Sequence, residues 1–216
     1  MNPIQLVIFD MDGLLFDTER PSFLAMEEVM KKQGYQFTIE NYRQMIGLSG
    51  PKSNIVLQEI YGKDFQFHRI SDDYNETFKR ILESEGLAIK PGAKELLDAI
   101  EQKGLKKCIA SSSSRETIQQ HLIKTGLESR FDFFVSGDEV EFGKPHPDIF
   151  IEACNRANEK PDSALVLEDS LNGLKAAHGA NIKCIIVPDL IQPNEEMKQK
   201  AFSIVKDLSL VVSYIE

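Results

Sequence analysis

The sequence predicts an α/β protein: a doubly wound parallel sheet with an all-helical domain inserted after its first strand. Three observations carry this reading. From Pro91 onward, short apolar runs alternate with amphipathic stretches, the pattern of strand–helix repeats in a parallel sheet. Residues 18 to 85 instead keep helical spacing with little strand signal. Three apolar runs, LVIF, CIA and LVL, stop at polar residues, namely Asp10, Ser111 and the pair Glu168–Asp169. The expected boundaries are a sheet core over residues 1–15 and 86–216 and a helical cap over 16–85. Linkers near Phe16–Thr18 and Glu85–Pro91 would let the insert rock as a lid.

Each element has a local reason. Leu6–Phe9 is a buried strand that ends at Asp10, with Asp12 and the turn residue Gly13 close behind. Within the insert, Phe23, Met26 and Met30 share a helix face and Gly34 stops that helix. Tyr42, Met45 and Ile46 suggest a second helix closed by Gly47, and GLSGPKS, Gly47 to Ser53, reads as a turn-rich break. Ile55–Tyr61 and Tyr74–Leu82 supply two more helices. In the core, Ala93–Lys103 turns Leu96, Leu97 and Ile100 inward, and Lys107–Ala110 is the next strand. Ser113 and Glu116 fit a capping box opening a helix that runs to Lys124. Strands follow at Phe131–Val135, Leu165–Leu167 and Ile182–Val187, with helices at Pro147–Ala157 and Ser170–His178 between them and a closing helix over Leu208–Ile215.

The 216 residues, 42% hydrophobic and 27% charged, are enough for a proper core. A net charge of -9 repels nucleic-acid phosphates and anionic lipid, so neither is an expected partner, whereas a small phosphorylated metabolite meets only the local field. No apolar run approaches the ~20 residues of a membrane span. The strand signal begins by Ile4, so no signal peptide is expected and the reading is cytoplasmic, with a monomer favoured. Cys108, Cys154 and Cys184 lie far apart without a C-x-x-C and read as small buried hydrophobes.

If the strands are parallel, the three polar ends open on one edge of the sheet, which gathers Asp10, Asp12, Glu168 and Asp169. Two like charges ~4 Å apart at an effective dielectric of ~20 repel by about 4 kcal/mol, so four carboxylates call for a cation or for protonation. An all-oxygen set suits Mg²⁺, a partner of phosphate. Ser111 opens SSSSR ahead of a helix, where a hydroxyl and free amides make an anion site. Lys144, in GKPHPD between two breakers, could neutralise a bound phosphate.

In this order the residues resemble the haloacid dehalogenase-like superfamily. DMDG, Asp10 to Gly13, matches its D-x-D-G motif; Ser111, Lys144 and Glu168–Asp169 match its second, third and fourth motifs. The nearest branch resembles the β-phosphoglucomutases and small-metabolite phosphatases, and the insert falls where that branch carries a helical cap on a Rossmann-like core. The resemblance implies Asp10 as nucleophile, giving an aspartyl-phosphate, and Asp12 as general acid and then base. It implies Mg²⁺ held by the Asp10 carboxylate, the Asp12 carbonyl and Asp169, with Glu168 as ligand or neighbour and Asn172 orienting groups near the ion. Ser111, the amide of Ser112 and Lys144 would hold the phosphate. Asp12 speaks against dehalogenation, since the dehalogenases lack the second aspartate.

The expected activity is a Mg²⁺-dependent phosphatase acting on a small phosphorylated metabolite, a sugar phosphate by preference. A β-phosphoglucomutase-type mutase is the second reading and a catalytically silent phosphate-binding module the third. Thr18 matches a linker residue of the mutase branch, but its cap His and Arg positions fall on Ser22 and Gly50. Glu19, Gly50 and Lys52, with the loop around them, are the expected leaving-group contacts.

Overall fold

The structure is a computed structural model and describes residues 3–46, 48 and 50–215. The chain divides into two compact units, one of residues 1–16 and 88–216, the other of residues 17–87.

In the first unit the apolar runs form six parallel strands: β1 (Leu6–Phe9), β2 (Lys106–Ala110), β3 (Phe133–Val135), β4 (Ala164–Glu168), β5 (Lys183–Ile186) and β6 (Ser203–Ile204). Their order is β3-β2-β1-β4-β5-β6, which puts β1 at the centre and the reversal of strand order beside it, between β1 and β4. Leu6 pairs with Lys106 on one side and Ala164 on the other, and Phe9 with Ile109 and Leu167. Asp10 continues the ladder, its N–H donating to Leu167 O at 3.0 Å. β1 is buried on both faces, so it reads as a continuous apolar run rather than an alternating one.

One face of the sheet, carrying Leu6, Ile8, Cys108, Ala110, Val166 and Ile186, packs with α7 (Asp148–Ala157) and α8 (Leu171–Gly179). The alternate residues Val7, Phe9, Ile109, Leu165, Leu167 and Ile185 are equally buried on the opposite face. α5 (Ala93–Gln102) packs against β2 and buries Leu96, Leu97 and Ile100. All three cysteines are buried, and burial pushes their thiols well up, as expected of packing residues.

The strand positions fall within two residues of the sequence reading, but three local readings change. The helix α6 is Arg115–Thr125 and its N-cap is Ser114, whose Oγ accepts from Thr117 N, so the Ser113–Glu116 box does not form. The chain end over Leu208–Tyr214 is a 3₁₀ rather than an α-helix. Leu208 and Val211 are both buried there, and three residues per turn place them on one side. The short α9 (Glu195–Lys200) and the two-residue β6 were not read from sequence, being too brief to show a period.

The second unit is helical: α1 (Glu19–Lys32), α2 (Ile39–Arg43), α3 (Gly50–Tyr61) and α4 (Ser71–Glu85). α1 and α4 pack together, and Arg80 of α4 bonds Glu28 of α1 at 2.6 Å. Phe23, Phe37 and Tyr42 form one aromatic cluster; Tyr35, Tyr61 and Phe65 form another. α2 is shorter than expected, and its Thr38 and Asn41 close a capping box. α3 begins at Gly50, inside the segment read as a break; Gly47 and Ser49 of that segment lie outside the described residues.

The two connections meet at the edge of the first unit. Phe16 bridges Ile89 in antiparallel fashion, and Lys90 N donates to Leu15 O at 2.9 Å.

Candidate active site

The acids and the first serine at the carboxyl edge of the sheet are there because strands end there. Asp10 follows β1, Ser111 follows β2, and Glu168 closes β4 with Asp169 next. Gly13, at φ 82°, lets the chain turn sharply after the two aspartates, and Leu15 and Phe16 N–H groups both donate back to Met11 O.

Lys144 ties this edge together. It reaches in from the loop before α7, where its peptide bond to Pro145 is cis. Its ammonium donates to Asp10 Oδ1 at 2.5 Å, Glu168 Oε1 at 2.7 Å and Ala110 O at 3.0 Å, and lies 5.0 Å from the centre of the Phe150 ring. That fills its three donors. Burial works against the charge, but Asp10 and Glu168 outweigh it and raise the lysine above its ordinary range. Asp10 itself is pushed well above the usual carboxylate range by burial, helped by Glu168 and Asp12 and opposed by Lys144.

Glu168 is 1% exposed and its oxygens are fully used. Oε2 accepts from Asp169 N, Ser170 N and Ser170 Oγ at 2.9–3.0 Å, while Oε1 holds Lys144. Gly173 makes room for it: a Cβ there would overlap the carboxylate. Ser170 also caps α8 by accepting from Gly173 N, so one short segment fixes both the helix start and the acid. Asn172 lies in the first turn of α8.

Asp10, Glu168 and Asp169 each offer an oxygen within 4.8 Å of the others, a buried acidic cluster consistent with a metal site. The donor set fits a hard divalent cation: all oxygen, buried, with more carboxylate charge than the single ammonium offsets. The Asp12 carboxylate stands apart from that cluster. Its Oδ2 accepts from Ser113 Oγ at 2.7 Å and from Ser111 Oγ at 3.5 Å. Ser111 is buried, whereas Ser112 is exposed at the start of the turn into α6.

The structure brings together Asp10, Asp12, Ser111, Lys144, Glu168 and Asp169. Three further residues escaped the sequence reading. Ser113 was assigned to a helix cap but bonds Asp12. Gly173 and Gly137 are places where a side chain would strike Glu168 and the Ser112 backbone, respectively. Among the histidines, His121 is buried and edge-on to Phe16, its ring held below its ordinary range by burial against the pull of Asp12.

In the helical unit, a cavity of about 250 Å³ is lined by Glu19, Ser22, Tyr42, Tyr74, Phe67 and neighbouring apolar residues. Tyr42 donates to Glu19 Oε2 at 2.7 Å, and Ser22 pairs with the Tyr74 hydroxyl at 2.7 Å. Of the expected leaving-group contacts, Glu19 lines this cavity. Lys52 is exposed on α3 and does not line it, and Gly50 is the first residue of that helix. Thr18 is buried, its Oγ1 without a partner among the described residues.

Residues 7–187 match the family model described as haloacid dehalogenase-like hydrolase. The phosphorylated carbohydrates phosphatase of Thermotoga maritima is 34% identical over 182 residues, covering 84% of each chain. CbbY of Rhodobacter sphaeroides, solved as a variant in complex with xylulose-(1,5)bisphosphate, is 27% identical with a TM-score of 0.79 over 95% of each chain. A β-phosphoglucomutase from Clostridium difficile is 25% identical with a TM-score of 0.79, covering 98% of this chain and 95% of that one.

Proposed function

The chain belongs to the haloacid dehalogenase-like hydrolases, in the branch of the β-phosphoglucomutases, CbbY and sugar phosphatases, and from that premise we propose a Mg²⁺-dependent phosphatase that hydrolyses a small sugar phosphate. The observation that carries the proposal is Lys144 joining Asp10 and Glu168 at the strand ends, with the Ser113 hydroxyl on Asp12 beside them.

Asp10 attacks phosphorus with a carboxylate oxygen, and Lys144, 2.5 Å from Oδ1, opposes the burial that disfavours its charge. The bond from phosphorus to the sugar oxygen breaks as Asp12 delivers a proton to that oxygen, leaving an aspartyl-phosphate. Asp12, now ionised, takes a proton from water as it attacks phosphorus and frees Asp10. Such acid–base work is typically worth ~10²–10⁴-fold. Ser111 Oγ and the Ser112 N–H hold the phosphoryl oxygens, and Lys144, its three donors committed to Asp10, Glu168 and Ala110 O, offsets their charge from beside them. The Asp10 and Asp169 carboxylates and the Asp12 carbonyl would hold Mg²⁺, which supplies charge neutralisation for the transferring group. Glu168 fixes Lys144 and the Asp169–Ser170 backbone.

The cavity within the helical unit is the candidate site for the sugar moiety. A pocket of hydroxyls, one carboxylate and aromatic rings suits a polyol. The mutase reading draws on the likeness to the β-phosphoglucomutase structure. Ser22 weighs against it, since its hydroxyl is paired with Tyr74 where that branch would place an imidazole.

The test is phosphate release from a panel of sugar phosphates with Mg²⁺ and with EDTA, beside Asp10→Asn. β-Glucose 1-phosphate is included, with glucose 6-phosphate followed in parallel. Metal-dependent release that vanishes in the variant is expected. Glucose 6-phosphate formed with little free phosphate would replace the phosphatase by a mutase.

A further inference from the structure

We propose that Ser113 is the positioning residue for Asp12: its hydroxyl fixes which carboxyl oxygen carries the proton given to the leaving group. This rests on the reading of Asp12 as the general acid.

Four consecutive serines, Ser111 to Ser114, enter α6, and the structure gives them separate tasks. Ser114 caps the helix through Thr117 N. Ser111 Oγ accepts from Ser113 N at 3.1 Å and lies 3.5 Å from Asp12 Oδ2, too long for a firm hydrogen bond. Its proton therefore stays available to a phosphoryl oxygen. Ser113 Oγ lies 2.7 Å from the same Oδ2 and commits its proton there. No lysine or arginine bonds the Asp12 carboxylate among the described residues, so this hydroxyl is its principal anchor.

The chemistry follows from hydrogen-bond direction. A hydroxyl that donates to Oδ2 makes that oxygen the acceptor of a protonated carboxyl group. The acid proton then resides on Oδ1, the oxygen left to face the leaving group. As the bond from phosphorus to the leaving oxygen breaks, its electron pair takes that proton and the Asp12 carboxylate remains, still held at Oδ2. Without Ser113 the carboxyl group turns freely and the proton is shared between both oxygens. The loop geometry is guarded independently, because Gly137 N donates to Ser113 O at 3.0 Å through the backbone.

This role separates from a structural one by its dependence on the leaving group. An alkoxide leaving group needs a proton; a nitrophenolate does not. The experiment measures kcat/KM, which reports phosphoryl transfer to Asp10, for the best sugar phosphate and for p-nitrophenyl phosphate. The proteins are the wild type, Ser113→Ala, Ser113→Thr and Asp12→Asn, with inhibition by inorganic phosphate as the measure of the phosphate site. Ser113→Ala is expected to lower the sugar-phosphate value about 10–100-fold, a part of the ~10²–10⁴ typical of a general acid, and the aryl value less than about threefold. Ser113→Thr restores the first, and phosphate inhibition does not move. Equal losses on both substrates, weaker phosphate inhibition in Ser113→Ala, or no loss at all would overturn the inference. If Asp12→Asn shows the leaving-group dependence and Ser113→Ala does not, the inference falls alone. If neither shows it, or the wild type releases phosphate from neither substrate, the reading of Asp12 falls with it.

Discussion

Charge fills the site of the sheet unit, while hydroxyls and rings fill the pocket of the helical unit. At the sheet edge, Asp10, Glu168 and Lys144 are buried and hydrogen-bonded with almost no slack. In the helical pocket a single carboxylate, Glu19, shares the walls with Ser22, Tyr42, Tyr74 and apolar side chains. The first arrangement tolerates no loss of a partner, because a stranded buried charge is costly. The second can exchange one hydroxyl for another at the cost of a hydrogen bond. Changes in the sheet unit should therefore abolish hydrolysis of every substrate alike, and changes in the helical unit should re-rank substrates.

The largest effect expected is from Lys144→Met. It leaves Asp10 and Glu168 buried without their cation, a loss of about 3–5 kcal/mol in stability. For a chain of this size that lowers Tm by roughly 10 °C. Calorimetry reads the shift, and phosphate release should be lost on all substrates. A stable variant that merely changed its substrate order would remove the distinction between the two regions.

Gly173→Ala comes next. A Cβ would overlap the Glu168 carboxylate, which is pinned by Lys144, Asp169, Ser170 and the ladder of β4. Overpacking of this kind costs about 1–3 kcal/mol. Activity should fall on every substrate, since Glu168 can yield only by dragging Lys144 from Asp10. Full activity with unchanged Tm would show that the acid has room to move.

These two regions were also unequally legible in the sequence. Apolar runs that stop at Asp10, Ser111 and Glu168 are short-range signals, and parallel pairing brings their ends together whatever the details. Lys144 was legible by its place between breakers, but not its three partners, which depend on how a loop folds back onto the sheet. Ser113 was misread because SSSSR offers a helix cap in two adjacent registers, and only packing selects Ser114. Gly173 carries no local signal, as the atom it must avoid belongs to another element. In the helical unit, Glu19 was found beside a motif, while Tyr42 and Tyr74 look like ordinary helix-core aromatics until α1, α2 and α4 are packed.

Tyr42→Phe tests the helical side. Burial and the adjacent Glu19 hold the phenol protonated, and it donates to Glu19 Oε2 at 2.7 Å. Removing the hydroxyl takes one hydrogen-bond donor from Glu19, so kcat/KM among sugar phosphates should shift by about tenfold, the scale of one hydrogen bond. The p-nitrophenyl phosphate value should change little. A uniform loss across sugar and aryl phosphates would mean that the pocket supports the chemistry rather than choosing the substrate.

The smallest expected effect concerns acid, and it too belongs to the sheet unit. Glu139 accepts from Ser136 N and Oγ, Arg115 and Arg156. Against the opposing effect of burial, these donors lower its pKa from 4.5 to about 2. The folded state therefore favours the ionised form, and the stabilisation is fully present above about 4.5 and lost as the pH falls through 2. For a partly exposed group the contribution is on the order of 1–2 kcal/mol. Glu139→Gln should unfold a few degrees below the wild type at pH 7, and the gap should narrow steadily between pH 5 and about 3. Because Glu139 holds the start of the segment whose Gly137 abuts the Ser112 backbone, the loss should track phosphate release without altering substrate order. A gap independent of pH would show that the glutamate contributes by packing and not by charge.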